Sequence, residues 1–129
     1  MEILRIEDLS NTYQAQNGEV TAFEHLSFSV EQGELISIVG PSGCGKSTLL
    51  SVIAGLIRPS TGRVLLHGKA VDGVSGHIGY MLQRDNLLEW RTIRSNVLFG
   101  LEIRHAKTER AVERAARLLE TYGLAVFAV

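Results

Sequence analysis

Gly40-Pro41-Ser42-Gly43-Cys44-Gly45-Lys46-Ser47-Thr48 fits the pattern G-x-x-x-x-G-K-[ST]. The apolar run Leu35-Ile36-Ser37-Ile38-Val39 precedes it, and Leu49-Leu50-Ser51-Val52-Ile53-Ala54 follows. Strand, glycine loop, helix is the order that brings successive backbone N–H groups and a helix N-terminus onto one anion. Two glycines, a lysine and a hydroxyl residue at these offsets arise by accident in on the order of one chain in a few hundred of this size. With strand and helix in place, the stretch is read as a phosphate-binding loop.

Outward from the loop, Leu35 to Val39 is apolar on both faces, which predicts a central strand covered by helices. Lys46 to Leu56 is the expected helix after it, and Arg58-Pro59-Ser60-Thr61-Gly62 breaks that helix. Upstream, Leu4 and Ile6 alternate with Arg5 and Glu7, and Leu26, Phe28 and Val30 alternate with Ser27 and Ser29. Two half-buried strands within 2–9 and 26–30 follow, joined through the turn signal Gln16-Asn17-Gly18 into an antiparallel meander. Arg63 to His67 with Gly68 reads as a short strand and turn, and His77 to Gln83 as a further strand. Thr92 is the expected N-cap of a helix to about Arg104. Lys107 to Tyr122 carries an apolar stripe of Val112, Ala115, Leu118, Leu119 and Tyr122, with Gly123 as the stop.

The composition bounds the rest. The 129 residues are 45% hydrophobic and 21% charged, the make-up of one globular domain or part of one. A formal net charge of -1 gives no basic field for nucleic acid and no polybasic membrane anchor. The longest nearly apolar stretch, Leu49 to Ile57, falls short of the ~20 residues that cross a bilayer, and the N-terminus lacks a secretory layout, so a cytoplasmic location is expected. His25, His67, His77 and His105 are scattered without metal spacing and receive no role. Leu124-Ala125-Val126-Phe127-Ala128-Val129 is apolar where termini are usually polar, and suggests a chain cut in mid-domain.

Several stretches together resemble the nucleotide-binding domain of ABC transporters. They are Leu26 to Glu34, the phosphate loop, and Leu49-Leu50-Ser51-Val52-Ile53-Ala54-Gly55-Leu56-Ile57-Arg58-Pro59-Ser60-Thr61-Gly62. Ile78-Gly79-Tyr80-Met81-Leu82-Gln83-Arg84-Asp85-Asn86-Leu87-Leu88-Glu89-Trp90-Arg91-Thr92 looks like the family's Q-loop, in the version of the nitrate, sulfonate and taurine importers. The resemblance implies an α/β phosphate-loop NTPase fold with an antiparallel β-subdomain, truncated before the signature motif. Residues 1–33 would form that subdomain, 34–83 the phosphate-loop core, and 84–129 the start of a helical subdomain. The signature motif, catalytic glutamate and switch histidine of the family are expected beyond the segment present.

The same resemblance assigns the chemistry. Gly40, Pro41, Ser42, Gly43, Cys44, Gly45, Lys46, Ser47 and Thr48 would bind ATP, the backbone N–H groups of residues 43–46 wrapping the β-phosphate. Lys46 would charge-pair with the β- and γ-phosphates, Ser47 would hold Mg²⁺, and Thr48 would help with the α-phosphate. Tyr13 would stack on adenine. Gln83 would reach the metal or the attacking water. Independently of the resemblance, the place of Cys44 at a helix N-terminus beside Lys46 predicts a reactive thiol whose alkylation would block nucleotide binding by filling the phosphate site.

Arg84 to Gly100 would receive a transmembrane permease subunit, with Leu87, Leu88 and Trp90 as apolar contacts, although Glu89 replaces a proline common in the family. The intact protein would pair with a second ATP-binding subunit and work indirectly with a solute-binding protein at the inner face of the membrane. The expected activity is ATP hydrolysis driving import of a small solute, the 129 residues alone being inactive. The alternatives are a non-catalytic fragment that binds nucleotide or the membrane subunit, and a soluble phosphate-loop kinase or ABC-type ATPase of repair or division.

Overall fold

A computed structural model describes residues 1–127 in two compact units, Met1–Tyr80 and Met81–Val129, of which Ala128 and Val129 lie outside the described residues. In the first unit, β1 (Glu2–Ala15) and β2 (Gly18–Glu31) form a long antiparallel hairpin. β3 (Thr61–Leu66) pairs with β1, and β4 (Lys69–Ala70) with β3, giving the sheet order β2-β1-β3-β4. Helix α1 (Lys46–Ile53) closes one face of this sheet. Ile6, Leu9, Leu49, Val52 and Val64 are the buried core, with Phe23, Leu26, Phe28 and Val71 packed around them.

The hairpin strands run well past their expected ends because both change phase at one level. Strict alternation would put Ile6 and Leu9 on opposite faces, yet both are buried, at 1% and 0% exposure. Phe23 and Leu26 show the same odd spacing and both pack on the core. The extra residues are Asp8 (φ 46°) and His25 (φ 49°), each in the left-handed region, and the pairing register shifts there. Side chains across the hairpin satisfy the displaced amides: Asp8 N–H donates to Ser27 Oγ at 2.9 Å, and His25 N–H to Ser10 Oγ at 2.9 Å. His25 Nδ1 lies 2.7 Å from Asp8 Oδ1, and that hydrogen bond, then the carboxylate's charge, raises the imidazole pKa. His67 (φ 49°) and Gly68 (φ 75°) turn β3 into β4, and His105 (φ 53°) ends a helix, so three of the four histidines serve the backbone.

Two expected strands are not strands. Leu35 to Val39 is irregular, with Leu35 93% and Val39 91% exposed, and His77 to Gln83 is irregular as well. A strand exists only through a ladder to a neighbour, and among the described residues none lies beside either run, whatever their apolar pattern. Helix α1 also stops at Ile53, three residues short of Leu56, where Gly55 takes φ 75°.

In the second unit, residues 81–92 precede α2 (Ile93–Ile103), which contacts α3 (Glu109–Thr121). Thr92 Oγ1 accepts from Ser95 N–H and Thr108 Oγ1 from Ala111 N–H, so both helices start on a threonine cap. The second helix starts two residues after Lys107, the start expected from the sequence. Leu98, Ala115 and Leu119 are buried, whereas Leu118 and Tyr122 of the expected stripe stay exposed. Gly123 (φ 71°) follows α3 as expected, and Ala125–Phe127 makes a short 3-10 turn.

Candidate phosphate-binding site

The loop before α1 is shaped by two glycines with positive φ, Gly43 at 80° and Gly45 at 93°. Gly45 is the residue at the helix start, and its carbonyl accepts the first helical bond, from Leu49 N–H at 2.9 Å. Its lack of a side chain has a second cause, because a Cβ there would collide with the carbonyl oxygen of Ala22 on β2. The hairpin therefore meets the loop at Gly45 through main chain. Gly40 is less confined, since a Cβ there would stand 2.7 Å from Cys44 Sγ, a side-chain atom that can turn away.

Lys46 is the first residue of α1, and its side chain folds back over the loop it follows. Nζ donates to Gly40 O at 2.6 Å, to Pro41 O at 2.7 Å and to Cys44 Sγ at 3.2 Å. None of these partners carries a counter-charge, so the ammonium sits among dipoles that an anionic oxygen can replace with gain. Cys44 N–H closes the turn on Pro41 O at 3.3 Å. Ser42, Cys44 and Ser47 are exposed, while Lys46 and Thr48 are half-buried. One turn further on, Ser51 Oγ donates to Ser47 O at 2.9 Å and lies 3.0 Å from Tyr80 Oη, which fixes the first turn of the helix from behind. A loop with backbone N–H groups, bare glycine corners and one uncompensated ammonium is fitted to hold phosphate oxygens.

Tyr13 belongs to the same unit. It stands on β1 opposite Val20, 49% exposed, on the hairpin that touches Gly45 through Ala22. Gln83 lies in the second unit, exposed, in the irregular stretch before α2. Leu87 and Trp90 of that stretch are 65% and 81% exposed, and Leu88 is half-buried.

Ala22 is the site residue that the sequence did not reveal, since its contribution is a carbonyl oxygen and any residue type supplies one. No signal in the sequence marks it: the phase break from Phe23 to Leu26 indicates the bulge at His25 and not the approach of β2 to the loop.

Comparison with known proteins places these features in a family. The family model described as ABC transporter matches residues 23–128. The chain is 46% identical over 124 residues to an uncharacterized ABC transporter ATP-binding protein, YtlC, of Bacillus subtilis, covering 96% of this chain and 48% of that protein. It is also similar to the taurine import ATP-binding protein TauB of Ruegeria pomeroyi, at 36% identity with 98% and 48% covered. The methionine import ATP-binding protein MetN of Geobacillus kaustophilus is 38% identical, with 95% and 38% covered. Among solved structures, a dimeric ATP-binding cassette, MJ0796, bound to ADP and Pi superposes with a TM-score of 0.83 at 27% identity, over 98% of this chain and 60% of that one. The chain thus spans about half the length, or less, of these curated relatives.

Proposed function

This chain belongs to the ABC transporter ATP-binding family, and from that premise we propose that it is the phosphate-loop half of an importer's ATP-binding subunit. The observation that carries the reading is Lys46, held over Gly40 to Cys44 by partners without charge. On ATP binding its ammonium exchanges two carbonyl oxygens for β- and γ-phosphate oxygens, and the N–H groups of residues 43–46 take the β-phosphate. Gly40, Pro41 and Ser42 form the wall of the loop, and Thr48 assists at the α-phosphate. Tyr13 offers a half-exposed ring for adenine.

A magnesium ion supplies charge neutralisation between the phosphates when bound. The exposed Ser47 hydroxyl would hold it, on the strength of its place at the start of α1; Gln83 is proposed for the same metal on its motif alone.

The parent protein would couple ATP hydrolysis to import, pairing with a second ATP-binding subunit and a membrane permease that docks on residues 84–100. Support for the pairing comes from the printed description of the similar cassette as dimeric. Among the described residues no helix is long and apolar enough to cross a membrane, which agrees with a peripheral subunit on the inner membrane face. Nitrate, sulfonate or taurine is proposed as the solute from the Q-loop; the relatives named for taurine and methionine leave the choice to experiment.

Titration of the chain with a fluorescent ATP analogue in Mg²⁺ tests the reading. Binding should be lost or weakened at least ~10-fold in Lys46→Ala, a cost of about 1.4 kcal/mol or more, and equal affinity for both proteins would refute it. Phosphate release by the 129 residues should stay far below that of a full-length family member. Labelling of Cys44 by a thiol reagent should slow in Mg-ATP.

A further inference from the structure

The turn that exposes Trp90 is closed by one backbone bond and gripped by the side chain of Asn96. Leu88-Glu89-Trp90-Arg91 is closed by Arg91 N–H donating to Leu88 O at 3.0 Å. Asn96, on the first turn of α2, then grips the same turn from inside the unit. Its Oδ1 accepts from Leu88 N–H at 2.9 Å, and its Nδ2 faces Leu88 O at 3.1 Å, Arg91 O at 3.2 Å and Thr92 O at 3.1 Å. A carboxamide presents a donor and an acceptor side by side, as a peptide group does, so it pairs with both polar groups of Leu88 in the way a neighbouring strand would. The side chain of Arg91 is tied separately, to Glu102, with its guanidinium 4.9 Å from the centre of the Phe99 ring.

We propose that Asn96 is a positioning residue that presets the 88–91 turn and so presents Trp90 for docking; only the docking rests on the function proposed above. The physical gain is entropic. A bulky anchor on a free loop loses conformational freedom on every binding event, whereas a turn already fixed in the free protein has lost it in folding. Trp90, at 81% exposure, is a large apolar surface on such a turn, and tryptophan is a frequent interface anchor. Asparagine is specified because aspartate keeps the bond to Leu88 N–H but loses every donation, and leucine keeps the volume but loses all four contacts.

Trp90 is the only tryptophan of the chain, so it reports on its own turn. In time-resolved fluorescence anisotropy the natural chain should decay with the tumbling of the folded unit. Asn96→Leu should shift at least half of the anisotropy into a subnanosecond component, and Asn96→Asp should fall between the two. Thr92→Ala, which removes the neighbouring cap and leaves the clamp, should resemble the natural chain. Amide hydrogen exchange on the unmutated protein gives a check that depends on no variant folding: Leu88 N–H should exchange at least 10-fold more slowly than the amides of Leu87 and Glu89. Equal exchange at the three amides, or an Asn96→Leu protein of unchanged helix content and unchanged anisotropy, overturns the proposal and leaves the docking reading standing.

Discussion

The phosphate loop and the Trp90 turn are both irregular, solvent-facing segments ahead of a helix, yet they are held in opposite ways. The first is fixed where backbone meets backbone, Gly45 against the Ala22 carbonyl, and the Lys46 ammonium laid over it rests on carbonyl oxygens alone. The second is held by side chains, Asn96 on Leu88 and Glu102 on Arg91. A main-chain contact is indifferent to most neighbouring residue types and intolerant of a single added Cβ. A side-chain clamp is the reverse, spacious but dependent on one functional group.

The largest effect that could break this contrast is at the loop. Gly45→Ala forces both a positive φ and a collision with backbone, and should cost on the order of 3 kcal/mol or more and abolish ATP binding. Gly43→Ala has the same sign of φ and nothing within 4 Å of the new atom, so about 1–2 kcal/mol is expected. Urea unfolding of the two variants checks this, and equal losses would show that conformation alone, without the Ala22 contact, fixes the loop.

In the second unit, Thr108→Ala removes the cap bond to Ala111 N–H and should cost about 1 kcal/mol of α3 stability, read by circular dichroism on heating. A cost near zero would mean that α3 is held by its packing on α2 alone.

The smallest effects should have opposite signs in the two units. The His25 pKa is raised by Asp8, so its contribution is complete below the unfolded value of about 6.5 and disappears as pH rises through the folded one. The Glu102 pKa is lowered by hydrogen bonds from Arg91 and then Lys107, so its contribution is present above the unfolded value of about 4.5 and disappears as pH falls. The ring of His25 is exposed, so the first effect is a slight one. Site-resolved NMR of each unit from about pH 2.5 to about pH 8.5 should show the bulge loosening toward alkali and the Arg91–Glu102 pair toward acid; Asp8→Asn and Glu102→Gln should flatten the respective curves.

Legibility in the sequence followed the range of the interactions. The threonine cap of α2, the glycine after α3 and the phosphate loop are local, set by residues within a turn or two, and were read at or near their observed places. Hairpin length, the double bulge at Asp8 and His25, and Asn96 as a clamp depend on partners 8 to 19 residues away. Apolar alternation gave Leu35 to Val39 the look of a strand, but a pattern supplies only faces, and the hydrogen-bonded neighbour must come from elsewhere.

The sequence by itself determined that Gly40 to Thr48 is a phosphate loop, because backbone approach to an anion demands glycine, lysine and hydroxyl at fixed offsets; the stretches around it, Leu26 to Glu34, Leu49 to Gly62 and Ile78 to Thr92, carried the resemblance to the family. Only the tertiary structure decided that Ala22 makes Gly45 obligatory, that Lys46 rests on carbonyl oxygens, and that Trp90 stands exposed on a turn fixed by Asn96. Those facts rest on distances between groups five or more residues apart, and residue order sets such distances only through the packed fold.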